Sequence, residues 1–335
     1  MNQPQADAYT IPKARSRTFA LCLSEQDQTE IERLHVLRSL PNALKIPTLY
    51  GLAVLTGYGI IALPHWYARV PLYLLMATIF AGIGVLMHEG AHGLLFRNKR
   101  LNLLASRAIA TSLGVAFTQF RYAHRFHHAW TLTSEDRDRL FYLGNVPSTM
   151  INGGRALYKS TVEGLKTADR RHVVLYVKEM AVVVLLFASV LAVVLRQGWL
   201  MPFVHVYVIP FLLFPPLLVM RLLLEHYECD PRDDFQLSHT IISNPVVRFL
   251  WNDVNYHAVH HFWQDIPWYN LARAHVLVAG QLQAQGAPIS SGYAVVLWRA
   301  LREHGLRRPA YWRFPPPEQL SVHAALSTVE PARGS

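Results

Sequence analysis

Four runs of predominantly apolar residues, at about 46–63, 70–87, 173–195 and 200–224, constrain this chain more than any other feature. Each approaches the ~20 residues that a helix needs to cross a bilayer. Inside hydrocarbon every backbone N–H and C=O must be satisfied within the chain, so such runs fold as helices. Composition agrees: 52% of the 335 residues are hydrophobic and only 16% are charged, against about 25% in an ordinary soluble domain. The chain therefore reads as an all-α integral membrane protein with four transmembrane helices.

The runs pair into two hairpins. Pro64-His-Trp-Tyr67 closes the first, an aromatic turn suited to a membrane interface. Positions 196–199 close the second. The third run carries Lys178 and Glu179 near its start. The fourth contains Pro210, Pro215 and Pro216, which predict a kink. Residues 101–120 are apolar but interrupted by Ser106, Arg107, Thr111 and Gln119, so a helix lying in or dipping into the interface is expected there. Residues 1–44 read as a polar N-terminal arm, with a surface helix over Gln26–Leu40 turning Ile31, Leu34 and Leu37 to one side. The catalytic domain is expected over 45–275. Residues 129–172 read as a basic polar loop, 239–263 as one helix or two, and 276–335 as an amphipathic helix near Ala294–His304 and a disordered tail.

Charge sets the topology. The two short connections carry one arginine each, Arg69 and Arg196, and the long segments hold nearly all the other Lys and Arg. The positive-inside rule then puts both termini and the 88–172 segment in the cytoplasm; in a bacterial cell the membrane would be the inner one. The net charge of +10 is spread beside the apolar runs, which suits anionic lipid. No nucleic-acid-reading motif accompanies it. Cys22 and Cys229, the only cysteines, form neither a CxxC nor a disulfide framework.

Three histidine clusters fall on that one side: His88-Glu-Gly-Ala-His92, His124-Arg-Phe-His127-His128 and His257-Ala-Val-His260-His261. On a helix, positions i, i+3 and i+4 share a face, so each cluster points its imidazoles into one small volume. Converging imidazoles make poor core packing, because each brings polar nitrogens that need partners. A metal satisfies them together. His226, beside Glu225 at the end of the fourth run, is a candidate ninth ligand. His65 reads as interfacial, His35 as a solvated surface residue, His275 as a surface residue or else a group behind the ligands, and His172, His205, His239, His304 and His323 as structural or solvated.

Imidazole suits Fe, Zn and Cu. Eight or nine are too many for one zinc, which takes about four ligands. They suit two irons with positions left for O2, and such a site at a membrane surface can attack unactivated C–H bonds of an apolar substrate. The three boxes, HxxxH, HxxHH and HxxHH in order, resemble those of the membrane fatty acid desaturase and hydroxylase superfamily. So does the flanking text: Glu89-Gly-Ala-His92-Gly-Leu-Leu-Phe, the Glu225-His226 pair, and Asn252-Asp-Val-Asn-Tyr-His-Ala-Val-His-His before Ile-Pro-Trp-Tyr-Asn-Leu. The resemblance covers roughly Leu49–His275.

This resemblance implies four spanning helices under a cytoplasmic helical cap that holds a His-rich di-iron site. It implies His88, His92, His124, His127, His128, His257, His260 and His261 as ligands, and His226 more loosely. Glu89, Glu225, Asn252 and Asn255 are candidates to stand behind the ligands, since some members place an asparagine near the third box. The implied reaction is O2-dependent desaturation of a fatty acid or fatty acyl chain, with hydroxylation or oxidative decarboxylation to a terminal alkene as alternatives. No cytochrome b5-like His-Pro-Gly-Gly occurs, so a separate donor of ferredoxin, rubredoxin or cytochrome b5 type, with its reductase, is expected. A reading of another class is a membrane metallopeptidase, because His88-Glu-Gly-Ala-His92 is also HExxH, with Glu89 as base. It leaves both HxxHH clusters without a role.

Overall fold

The structure is a computed structural model and describes residues 21–141, 146–304 and 316. The first portion of the polar arm and the expected disordered tail lie outside the described residues. The elements in order are α1 (Glu25–Leu34), α2 (Ser39–Ala62), α3 (Trp66–Ala91), α4 (Lys99–Ser112), α5 (Phe117–Trp130), α6 (Val146–Thr167), α7 (Arg170–Arg196), α8 (Leu200–Phe203), α9 (Ile209–Glu225), β1 (Thr240–Ile241), α10 (Pro245–Leu250), α11 (His257–Phe262), α12 (Trp268–Ala284), β2 (Ile289–Ser290) and α13 (Tyr293–His304).

Four of these stretches are long and apolar enough to cross a membrane: Ser39–Ala62, Trp66–Ala91, Arg170–Arg196 and Leu200–Glu225. They contain the four runs expected from sequence and extend them, because helices continue through polar first turns that hydropathy leaves out. The expected kink is a π turn over Val204–Val208 between α8 and α9, just before Pro210. Glu179 reaches out of α7 to cap the buried start of α5, accepting from the Thr118 backbone N–H at 2.7 Å and from Arg107 Nε at 2.7 Å. Orphan N–H groups at a helix start need such an acceptor when water is excluded.

Small residues let the helices beside the histidine clusters close together. A Cβ on Gly82 of α3 would lie 2.1 Å from the Leu250 carbonyl oxygen, so α10 packs directly on the α3 backbone there. A Cβ on Gly90 would lie 2.0 Å from Ser106 Oγ, which seats α4 against the first histidine cluster. The predicted interfacial segment is a bent pair, α4 and α5, meeting at 102°. Much of the predicted basic loop is the amphipathic helix α6, and 239–263 is two short helices separated by a buried turn. Residues Ile31 and Leu34 of α1 pack under Tyr256, Val259 and Phe262, sealing the third cluster from outside. The surface helix is shorter than predicted and ends at Leu34.

Candidate metal centre

Each cluster rides on its own element. His88 closes the last turns of α3 and His92 is its C-cap. His124, His127 and His128 lie on α5, and His257, His260 and His261 on α11. His226 follows α9 directly. These nine side chains form two groups. His88, His92, His124, His128 and His260 make the first, and His127, His226, His257 and His261 the second; within each group one nitrogen per residue lies within 4.8 Å of all the others. The two HxxHH clusters are thus divided between the groups, so the last turn of α5 and the whole of α11 hold the two together.

The nitrogens face one another in chains. His124 Nε2 stands 2.8 Å from His92 Nε2 and 2.9 Å from His128 Nε2, and His128 Nε2 stands 3.1 Å from His260 Nε2. A neutral imidazole nitrogen is a donor or an acceptor, never both, and a ring nitrogen has a single in-plane direction, so His124 Nε2 cannot make two linear hydrogen bonds to His92 and His128. In the second group, His257 Nε2 lies 3.2 Å from both His226 Nε2 and His261 Nε2. His226 Nδ1 faces the Leu237 carbonyl at 3.0 Å and must donate to it, which leaves Nε2 as a lone pair aimed inward. His127 Nδ1 likewise faces both oxygens of Asp136, at 3.1 and 3.2 Å. Lone pairs converging at about 3 Å repel unless a cation sits among them; two nitrogens at right angles about a metal with bonds of about 2.1 Å stand about 3 Å apart. The donor set therefore fits a metal in each group.

Burial keeps these imidazoles in the ligand form. It pushes His226, His257, His260 and His261 well below the ordinary histidine range, and their neighbouring imidazoles add to the effect. His92 falls to about 3, through burial and then the charge of Arg125.

Carboxylates stand behind one histidine of each cluster. Asp136 holds His127, and also accepts from the backbone N–H of Leu132 and of Asp138 at 2.8 Å each. Glu225 Oε2 lies 3.8 Å from His257 Nδ1, while its other oxygen accepts from Arg221 Nε at 2.9 Å and Tyr293 Oη at 2.6 Å. Glu89 Oε1 lies 3.6 Å from His88 Nδ1, and its Oε2 accepts from the Trp268 backbone N–H. A carboxylate behind a ligating histidine fixes the ring and raises its basicity. Glu89 and Glu225 were named from sequence; Asp136 was not. Its only signal was the acidic string Glu135-Asp-Arg-Asp138 after the second cluster, which offers three carboxylates and no reason to choose.

The asparagines divide. Asn255 is structural: its Nδ2 donates to the Ile241 carbonyl at 2.9 Å, and the Ile241 N–H donates back to the Asn255 carbonyl. Asn252 is fully buried in the left-handed region at φ 53°, and neither polar atom of its side chain meets a protein partner. His172 contacts Gln119, His205 contacts Tyr73, and His239 contacts Ser290, all apart from the two groups. His275 is a correction to its expected place at the surface: it is buried, with its ring tilted against that of Tyr256. His35 bonds the Ile31 carbonyl and meets Asp265 at 3.3 Å, and His65 stacks on Tyr67.

Beneath the imidazoles lies an apolar cavity of about 980 Å³, its open mouth included. Val85, Leu113, Phe214 and Leu218 wall it, and His88 and His124 of the first group and His127 and His257 of the second face it. His88 and His92 join three further histidines, a larger set than the HExxH reading employs, and Glu89 Oε2 is engaged by the Trp268 N–H of α12. A comparison with curated proteins finds no match. The Fatty acid desaturase family matches residues 64–293, which span all three histidine clusters, and the chain belongs to this family of oxidoreductases.

Proposed function

We propose that the protein is an O2-dependent di-iron enzyme that desaturates a fatty acid or fatty acyl chain, drawing electrons from a separate donor of ferredoxin, rubredoxin or cytochrome b5 type. The nine grouped histidines hold the irons. One observation carries the reading: imidazoles of both groups face a single apolar cavity set between membrane-spanning helices. A soluble substrate would not need such walls, and a one-metal hydrolase would not need the second group.

Bound iron with O2 supplies the oxidising power to remove hydrogen from an unactivated C–H bond. The balance is that O2 is reduced to two waters by the two hydrogens the substrate loses, two electrons from the donor and two protons. The chain's own residues do the rest. The α3 and α9 walls exclude water and hold the acyl carbons against the imidazole face, which turns a bimolecular encounter into a positioned one. Asp136, Glu225 and the Leu237 carbonyl fix ring orientation. The basic cytoplasmic side expected from the charge distribution would steer an acidic donor.

Product analysis tests the reading. The protein is expressed with a compatible donor, fed labelled saturated fatty acid, and extract and headspace are analysed by gas chromatography and mass spectrometry. The expected product keeps every carbon and has lost two hydrogens. An added oxygen would mean hydroxylation, and a volatile alkene one carbon shorter would mean decarboxylation; either overturns desaturation while keeping the site. No conversion by protein shown to contain iron and receive electrons overturns the acyl substrate.

A further inference from the structure

A second cavity of about 670 Å³ adjoins the first, between α5, α6 and α7. Both are lined by Val115, Phe120, His124, Asp138 and Leu157, so they are two chambers of one passage. The outer chamber adds Ser160 and Thr161 of α6 and Tyr176 and Met180 of α7. Leu157 lines both chambers and is still 47% exposed, so the passage reaches the surface at that side chain. The surface around that opening is apolar. Nearby on α6, Ile151 and Tyr158 are 83% and 69% exposed, and on α7 Val174 and Val177 are also bare. Tyr176 and Met180 sit in the first three turns of a membrane-spanning helix. A face this apolar is not left to water.

Phe214 lines the inner chamber and not the outer one. A Cβ on Gly84 would lie 3.8 Å from its ring and 3.9 Å from Leu113, so these three residues meet as a floor. Charge settles which end of an amphiphile goes in. Among the described residues, Asp138 is the only charged one that lines the outer chamber, apart from imidazoles. In the inner chamber the cation Arg221 is held by Glu225 at 2.9 Å. Neither chamber offers an anionic head group an uncommitted cation among the described residues, and a buried unpaired charge is costly.

We infer that a single-chain fatty acid enters this passage sideways from the bilayer, tail first, between α6 and α7 at Leu157. Its methyl end reaches Phe214 and its carboxylate stays at the mouth. This rests on the acyl reading of the function and deepens it: His124 lines both chambers and His88 and His127 only the inner one, so the imidazoles meet chain carbons inside the mouth and not the carboxylate itself.

The test uses the full protein in phosphatidylcholine vesicles, with hexadecanoate carrying a photoactivatable diazirine either beside the carboxylate or near the methyl end. Labelled residues are mapped by mass spectrometry, with and without excess unlabelled hexadecanoate. The carboxylate-side probe is expected on Ser160–Thr161 and Tyr176–Met180, and the methyl-end probe on Gly84 and Phe214–Val219, each severalfold weaker with competitor. Leu157→Trp, or Thr161→Phe should that variant not insert, is expected to weaken both severalfold at unchanged iron content. The reversed pattern, or labelling of Phe214 that either variant leaves unchanged, overturns this route and orientation but leaves the function standing. Absence of any competed labelling in the passage overturns the acyl reading as well.

Discussion

At the scale of single residues, the centre is a set of neutral imidazoles held where protons are unwelcome. An unfolded histidine takes up a proton near about pH 6.5, whereas His226, His257, His260 and His261 stay neutral in the fold to lower pH. The unfolded state then binds more protons than the native state, so stability rises with pH and falls as pH drops below about 6.5. Metal-free protein in detergent is expected to lose thermal midpoint between about pH 7.5 and 5.5; a flat profile would remove the claim that these rings are buried unprotonated. Adding iron at the higher pH should raise the midpoint, because a ligand that binds only the native state stabilises it. Asp136 makes a separate prediction. Asp136→Asn leaves one oxygen where two now serve His127, Leu132 and Asp138. Turnover is expected to fall by about 10–100-fold, as for other partners behind metal ligands. Iron lost first from the His127 group, read spectroscopically, would separate this from a general loosening of the loop.

Elements are fixed by contacts that pattern alone does not reveal. Gly82→Ala sets a methyl against the Leu250 carbonyl, and Gly90→Ala sets one against Ser106 Oγ. Each forces a packed pair of segments apart, so each is expected to destabilise by about 1–3 kcal/mol. Gly90→Ala should also weaken iron retention, because it lies between His88 and His92. Gly154, whose Cβ would meet nothing within 4 Å, is the control: Gly154→Ala on α6 should be neutral or stabilising. Chemical denaturation in mild detergent compares the three. The same elements show what was legible beforehand. The spans and the nine histidines were readable because length in hydrocarbon and i, i+3, i+4 spacing act locally. The split of each HxxHH cluster between two groups was not, since it depends on how α5 and α11 face one another. Nor was the bend between α4 and α5, which rests on Glu179 arriving from α7. Helix α6 was hidden because Arg155, Lys159 and Lys166 share it with Ile151, Leu157 and Tyr158, so mean polarity masked an apolar face.

For the whole molecule, the remaining question is how it lies across the bilayer, and the geometry makes the charge argument sharper. The nine grouped histidines lie at or beyond the C-terminal ends of α3 and α9, or on elements packed against those ends. All must share one face of the membrane, so one orientation decides the side of the entire centre. Arg69 and Arg196 are the only Lys or Arg in the two short connections on the opposite face, while the segments flanking the centre carry nearly all the others. By the positive-inside rule the centre is expected on the cytoplasmic side. Alkaline phosphatase inserted after Gly198 in a bacterial host should therefore be active, and a fluorescent protein fused after His304 should fluoresce. Reversing the charge balance tests the cause: adding four lysines around Gly198 should lower phosphatase activity there and lower iron loading with it. Active phosphatase after His304 together with silence at Gly198 would invert the molecule and require an electron donor on the far side.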